Sequence, residues 1–258
     1  VAQQRWRLDL AWRGEAYLGW QRQPHGPTIQ QAVEEALERI LSGERPTVRA
    51  TGRTDAGVHA AHQVAGFRAE AVRTERVLMD GLNAVLPRDI ACLAATHAPD
   101  DFDPRGWTRR KTYRYRILLR RARCPFRHRQ VWHIKSGLDV DAMSRATGPL
   151  VGHHDFSAFR SAGCSAKNPR RLLQSLTCRV LDDEVHIEAV GHGFLRHQVR
   201  IVAGTLVDVG QGRIAAEDMG AILASRDRRR AGPTAPPWGL WLQRVEVGDG
   251  PRVSEGEA

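Results

Sequence analysis

Trp6-Arg7-Leu8-Asp9-Leu10-Ala11-Trp12 sets large apolar side chains at every second position, the signature of a half-buried strand. Beyond it, Thr28 stands three residues before Gln31, the spacing of a capping box. Ala32, Val33, Ala36, Leu37, Ile40 and Leu41 then supply one apolar helical face. Short strands are expected over 47–51 and 62–68, a helix opened by Thr74 over 74–84, and a strand over 90–96 before Pro99. The order β-α-β-β-α-β is that of the split βαβ, or ferredoxin-like, arrangement.

The order recurs downstream. Residues 111–119 place Tyr113, Tyr115, Ile117 and Leu119 on one face of a strand. A helix is expected over 139–150, strands over 171–181 and 184–190 about an Asp182-Asp183 turn, and a helix over 194–208. An extra helix near 215–225 precedes a last strand at 240–247. The expected class is α+β, with two ferredoxin-like (RRM-like) βαββαβ halves and a central cleft. Residues 1–104 form the first half, 105–247 the second and 248–258 a polar tail, with the irregular stretch 97–110 as linker.

Composition narrows the function. A chain of 258 residues with 41% apolar content is globular and large enough to fold without a disulfide or metal staple. It contains no apolar run near the ~18 residues of a membrane span. Its start, Val1-Ala2-Gln3-Gln4-Arg5, lacks the apolar core of a signal peptide, so a cytoplasmic protein is expected. Cys92, Cys124, Cys164 and Cys178 are far apart and are expected as buried thiols.

The net charge is +10, and of 39 basic residues only Lys111, Lys135 and Lys167 are not arginine, which favours a polyanionic partner. Between Arg105 and Arg129 lie eleven basic residues and no acidic one, interleaved with Trp107, Tyr113, Tyr115 and Phe126. Such a strand suits gripping phosphates and stacking bases. It equally suits a solvated face whose tyrosines turn into the core. The cluster Arg226, Arg228, Arg229 and Arg230 reads as an exposed helix end.

The most unusual segment is Thr51-Gly52-Arg53-Thr54-Asp55-Ala56-Gly57-Val58-His59-Ala60. Two glycines bracketing Arg-Thr-Asp allow a sharp loop that holds Asp55 out at a strand end. An aspartate beside an arginine stays ionised and serves as nucleophile or base, or else it caps a turn.

From Gly52 to Ala60 this segment resembles, without a break, the signature of the tRNA pseudouridine synthase A family. Further family-like segments follow in order: Tyr17-Leu18-Gly19-Trp20-Gln21-Arg22-Gln23, Lys111-Thr112-Tyr113-Arg114-Tyr115, and Gly152-His153-His154-Asp155-Phe156-Ser157-Ala158-Phe159. They continue with Phe194-Leu195-Arg196-His197-Gln198-Val199-Arg200 and Pro233-Thr234-Ala235-Pro236-Pro237-Trp238-Gly239-Leu240-Trp241-Leu242. Departures are Tyr17 for the usual phenylalanine, Gln198 for methionine, Ile201 for asparagine, and an atypical Phe102-Asp103-Pro104-Arg105.

The resemblance implies a pseudouridine synthase fold, a mixed and mainly antiparallel sheet, and conversion of uridine to pseudouridine at positions 38 to 40 of the tRNA anticodon stem-loop. It implies a homodimer with tRNA as partner and neither cofactor nor metal. Asp55 would be nucleophile or base. Tyr113 would stack on the uracil and help move the C5 proton, and Arg200 would pair with Asp55. Arg53, Leu240, Lys111 and His59 would bind substrate, Arg53 by helping expel the uridine and Leu240 by packing beneath the base. Without the resemblance, Tyr113 and Leu240 read as core residues, Arg200 as a solvated helix residue, and Arg53 as one member of an ion pair.

Two motifs are declined. Gly210-Gln211-Gly212-Arg213-Ile214-Ala215 fits a dinucleotide fingerprint, but too little chain follows it. His153-His154-Asp155 has no second cluster at ligand spacing. The rival functions are an RRM-like RNA-binding protein without chemistry and an N-glycosidase, which would release free base.

Overall fold

The computed structural model describes residues 3–41, 45–70 and 74–251; the polar tail expected after Gly248 lies mostly outside them. The chain forms two compact units, Val1–Arg109 with Leu242–Ala258, and Arg110–Trp241.

In the first unit β1 (Gln4–Trp12), α1 (Ile29–Ile40), β2 (Arg49–Ala50), β3 (His59–Ala69), α2 (Glu75–Val85) and β4 (Ile90–His97) follow in the expected order. β1 runs antiparallel between β4 and β3, and β2 is antiparallel to β3. The order β4-β1-β3-β2 with every pair antiparallel is a ferredoxin-like half. The alternation in β1 has a direct cause: Trp6, Leu8 and Leu10 are fully buried, alongside Phe67 of β3.

Both helix starts are set by threonine caps. Thr28 Oγ1 accepts from the Gln31 N–H at 3.3 Å and Thr74 Oγ1 from the Val77 N–H at 3.2 Å. Only half of the capping box forms, because the Gln31 side chain donates to Glu35 at 2.9 Å instead of returning to Thr28.

The second unit contains most of β5 (Thr108–Leu119), then β6 (Trp132–Ile134), α3 (Val140–Arg145), β7 (Gly152–Asp155), β8 (Arg170–Leu181), β9 (Glu184–Gly191), α4 (Gln198–Gly210) and α5 (Met219–Ser225). β9 runs antiparallel between β5 and β8, β7 is antiparallel to β8, and β6 is parallel to β5. Pairing is therefore mixed and mostly antiparallel, and the class is α+β. The last strand, β10 (Leu240–Val247), belongs to the first unit from Leu242 onward, where the Val245 N–H donates to His62 Nδ1 at 3.2 Å. Periodicity had placed that strand wholly in the second half.

Other differences have local causes. The helix expected over 139–150 stops at Arg145, and Gly148-Pro149 lead a separate 3-10 turn, Gly148–Leu150. α4 begins four residues late because His197 takes a left-handed conformation (φ 62°) and buried Gln198 accepts the Leu195 N–H at 2.8 Å. The residue departing from the family pattern thus closes the turn that enters α4. The helix near 215–225 is a 3-10 turn, Ala216–Asp218, running into α5. β6 and β7 are too short for alternation to show. All four cysteines are free thiols; Cys92 and Cys178 are buried, whereas Cys124 and Cys164 are half-exposed. No helix among the described residues is long and apolar enough to cross a membrane.

Candidate active site

The segment 51–60 is the connection from β2 into β3, and it is held from both sides by neutral hydrogen bonds. Buried Gln63 of β3 accepts the Thr51 hydroxyl at 2.6 Å and donates to the Gly52 carbonyl at 3.0 Å. The Val58 N–H donates to the Asp55 carbonyl at 3.2 Å, closing a turn whose third residue is Gly57 at φ 78°. That left-handed position is the one a type II turn reserves for glycine. Asp55 therefore opens a turn, half-buried, between exposed Arg53 and exposed Ala56.

A second layer clamps the backbone. The Trp20 N–H donates to the Thr54 carbonyl and the Gly57 N–H to the Tyr17 carbonyl, each at 3.2 Å. Trp12 Nε1 donates to the Val58 carbonyl at 3.2 Å. Gly19, at φ 91°, lies so close that a Cβ there would stand 2.4 Å from the Thr54 oxygen and 2.9 Å from the Asp55 carbonyl carbon. Tyr17 is itself fixed by its hydroxyl, which donates to Asp89 at 2.7 Å. These contacts explain the Tyr17–Gln23 segment: it is the wall against which the aspartate loop is set.

His59 is fully buried, and its Nδ1 accepts the Gly14 N–H at 3.0 Å. Zero exposure is incompatible with the substrate contact assigned to it from the sequence; it anchors the C-terminal end of the loop.

In the second unit, Tyr113 is half-buried on β5 opposite Ala189, with its ring 5.2 Å from Phe194 and edge-on to it. Two residues along the same face, Tyr115 is the core tyrosine, fully buried with its hydroxyl donating to the Pro236 carbonyl at 2.7 Å. Burial pushes the Tyr115 phenol well above its usual pKa, and the nearby Arg200 charge opposes this only in part. Lys111 lies opposite Gly191, also half-buried, and Leu240 is buried.

Every residue of α4 except Arg200 is buried. A helix that apolar is a core element, so a solvated-helix reading of Arg200 does not hold. Its Nε donates to the Ala235 carbonyl at 2.8 Å while the Ala235 N–H donates to the Arg200 carbonyl at 3.1 Å. This two-way link aligns the guanidinium and ties α4 to the 233–236 segment. Sequence reasoning assigned no role to Gly19, Gln63 or Phe194. Gly19 and Phe194 stood within quoted motifs; Gln63 carried no local signal.

The basic strand is not uniformly basic in space. Arg114 donates to Glu188 at 2.9 Å, and Arg116 forms a two-pronged pair with Glu184 at 2.8 Å. Arg127 donates to Asp183 at 2.6 Å and to Glu184 at 2.8 Å. Burial would raise the Glu184 pKa, but hydrogen bonds from His186, Arg116 and Arg127 hold it far below the ordinary carboxylate range. This part of the strand is structural.

Among the described residues no group of three or more His, Cys, Asp or Glu side chains is arranged to hold a metal ion. His154 instead meets the Val151 carbonyl at 2.9 Å, and Asp155 accepts the Ser157 N–H at 2.9 Å.

The profile of the tRNA pseudouridine synthase family matches residues 11–105 and 146–246. A tRNA pseudouridine synthase A of Myxococcus xanthus is 49% identical over 96% of this chain and 93% of its own. Those of Methylobacterium radiotolerans (45%; 95% and 99%) and Pelobacter propionicus (44%; 93% and 98%) are similar. The chain belongs to the tRNA pseudouridine synthase family, isomerases that convert uridine to pseudouridine.

Proposed function

We propose that this protein isomerises uridines at positions 38 to 40 of the tRNA anticodon stem-loop, in the cytoplasm and as a homodimer, with Asp55 as the reacting carboxylate. The observation that carries the assignment of Asp55 is its place at the head of a rigidly clamped turn, half-buried between exposed Arg53 and Ala56. The reaction breaks the N1–C1′ bond, turns the uracil and joins C5 to C1′, and the C5 proton leaves. Asp55 serves either by covalent attack or by taking the ribose 2′ proton; both need the ionised carboxylate.

Arg200, held by Ala235, supplies the countercharge for that carboxylate. Tyr113, braced by Phe194, stacks on the extruded base and assists proton movement at C5. Leu240 packs beneath the base, Lys111 takes a phosphate, and Arg53 fills the space left by the flipped nucleotide, whose extrusion costs a few kcal/mol. His59 positions the loop without touching RNA. No step in this scheme calls on a cofactor. A passive RRM-like binder has no use for a clamped Gly-Arg-Thr-Asp turn.

The test is tRNA carrying tritium at uridine C5, incubated with wild type and with Asp55→Ala. Wild type releases tritium to water while the base stays attached to RNA, and Asp55→Ala releases none. Full release by Asp55→Ala, or release of free uracil by wild type, overturns the assignment.

A further inference from the structure

A second concentration of positive charge lies away from β5. From Phe156 to Leu181 the chain carries Arg160, Lys167, Arg170, Arg171 and Arg179 and no acidic residue; Gly191 to Val207 adds Arg196 and Arg200, again without one. The fold converges three of these guanidiniums on one loop, residues 160–168. Arg160 Nη1 donates to the Ala166 carbonyl at 3.4 Å, Arg171 Nη1 to the Asn168 carbonyl at 2.9 Å, and Arg196 Nη1 to the Gly163 carbonyl at 3.4 Å. The Ser161 N–H returns to the Arg196 carbonyl at 3.3 Å, tying the loop to the entry of α4.

This cluster differs in kind from the arginines of β5. Among the described residues neither Arg160 nor Arg196 forms an ion pair, and the adjoining carboxylate, Asp155, is held by Arg226 at 3.3 Å and by Ser157. The Cys164 thiol lies within this loop. Burial opposes its ionisation, yet the Arg196 and Ala166 backbone and the charges of Arg160 and Arg171 draw its pKa below the ordinary value. Arg160 and Arg196, like charges brought to one loop, repel one another until a polyanion arrives. A guanidinium that uses one N–H on a loop carbonyl is oriented and keeps further donors for phosphate.

We infer that the 160–168 loop, through Arg160 and Arg196, is a phosphate-gripping surface for the tRNA backbone. The inference rests on the tRNA reading above and names a surface that reading does not use.

The experiment measures the dissociation constant of unmodified tRNA against salt for wild type, Arg160→Gln/Arg196→Gln, Arg160→Lys/Arg196→Lys and Arg76→Gln. Each lost phosphate contact lowers the slope of log K against log salt by about 0.9 and weakens binding about eightfold near 0.1 M salt. The glutamine pair is expected to lose two contacts and the lysine pair to recover most of the affinity. Arg76→Gln, which removes one charge from exposed α2 in the first unit where the glutamine pair removes two, leaves the slope unchanged. An unchanged slope in the glutamine pair, or an equal loss in Arg76→Gln, overturns the inference. Tritium release by wild type, run alongside, separates this result from the isomerase assignment. Release with an unchanged slope removes only the loop, and a changed slope without release removes only the chemistry.

Discussion

The aspartate loop of the first unit and the β5–β9 edge of the second are both densely hydrogen-bonded, but by opposite means. The loop that carries Asp55 has its backbone held by neutral groups: Gln63, Trp12, His59 and backbone amides at close approach. Along β5 and β9 they are charged: Arg114, Arg116 and Arg127 against Glu188, Glu184 and Asp183. Neutral clamps place a carboxylate without adding a charge that would compete for it, and they are indifferent to salt. Charge pairs hold a strand whose neighbours must meet a polyanion, and they respond to pH and ionic strength.

The contrast breaks most visibly at Gly19. Gly19→Ala forces a Cβ against the Thr54 oxygen and the Asp55 backbone. Displacement of the carboxylate is expected to lower the single-turnover rate about a hundredfold while tRNA affinity changes far less. A rate within threefold of wild type would show that the clamp does not set the chemistry. Next in size is Gln63→Leu, which removes both hydrogen bonds to Thr51 and Gly52; urea unfolding should show a loss of about 2 kcal/mol.

The charged edge gives the pH signature. Because Glu184 is held well below its ordinary pKa of 4.5, its stabilisation is complete above that value and is lost as pH falls beneath it. Melting temperature between pH 6 and pH 3 should therefore fall more steeply for wild type than for Glu184→Gln, with Gln63→Leu keeping the wild-type slope. Parallel slopes for wild type and Glu184→Gln would dissolve the distinction between the regions. The smallest effect belongs to Arg114 and Glu188, both partly exposed. A double-mutant cycle should give a coupling of about 0.5 kcal/mol that vanishes in 1 M salt.

Much of this was legible in the residues. Trp6, Leu8 and Leu10 announced β1, Thr28 and Thr74 announced the helix starts, and the glycines of Gly52 to Ala60 announced a sharp loop between strands. The failures share one cause. The acidic partners of Arg114 and Arg116 lie about seventy positions away, so a run without carboxylates looked uniformly basic. His59 sits inside a family motif, yet its imidazole turns to Gly14, just past the end of β1. α4 begins late because of a single left-handed residue, His197, which no periodicity records.

By itself the sequence determined the α+β class, the order of the elements and the family, because alternation, capping and a nine-residue motif are all properties of neighbours along the chain. Tertiary structure alone decided which arginines are neutralised, that His59 braces rather than binds, and that Arg200 stands as the one unburied residue of a core helix. Those outcomes depend on which strands and helices come to lie side by side, and hydrogen bonding and burial across such contacts leave no mark on the local pattern.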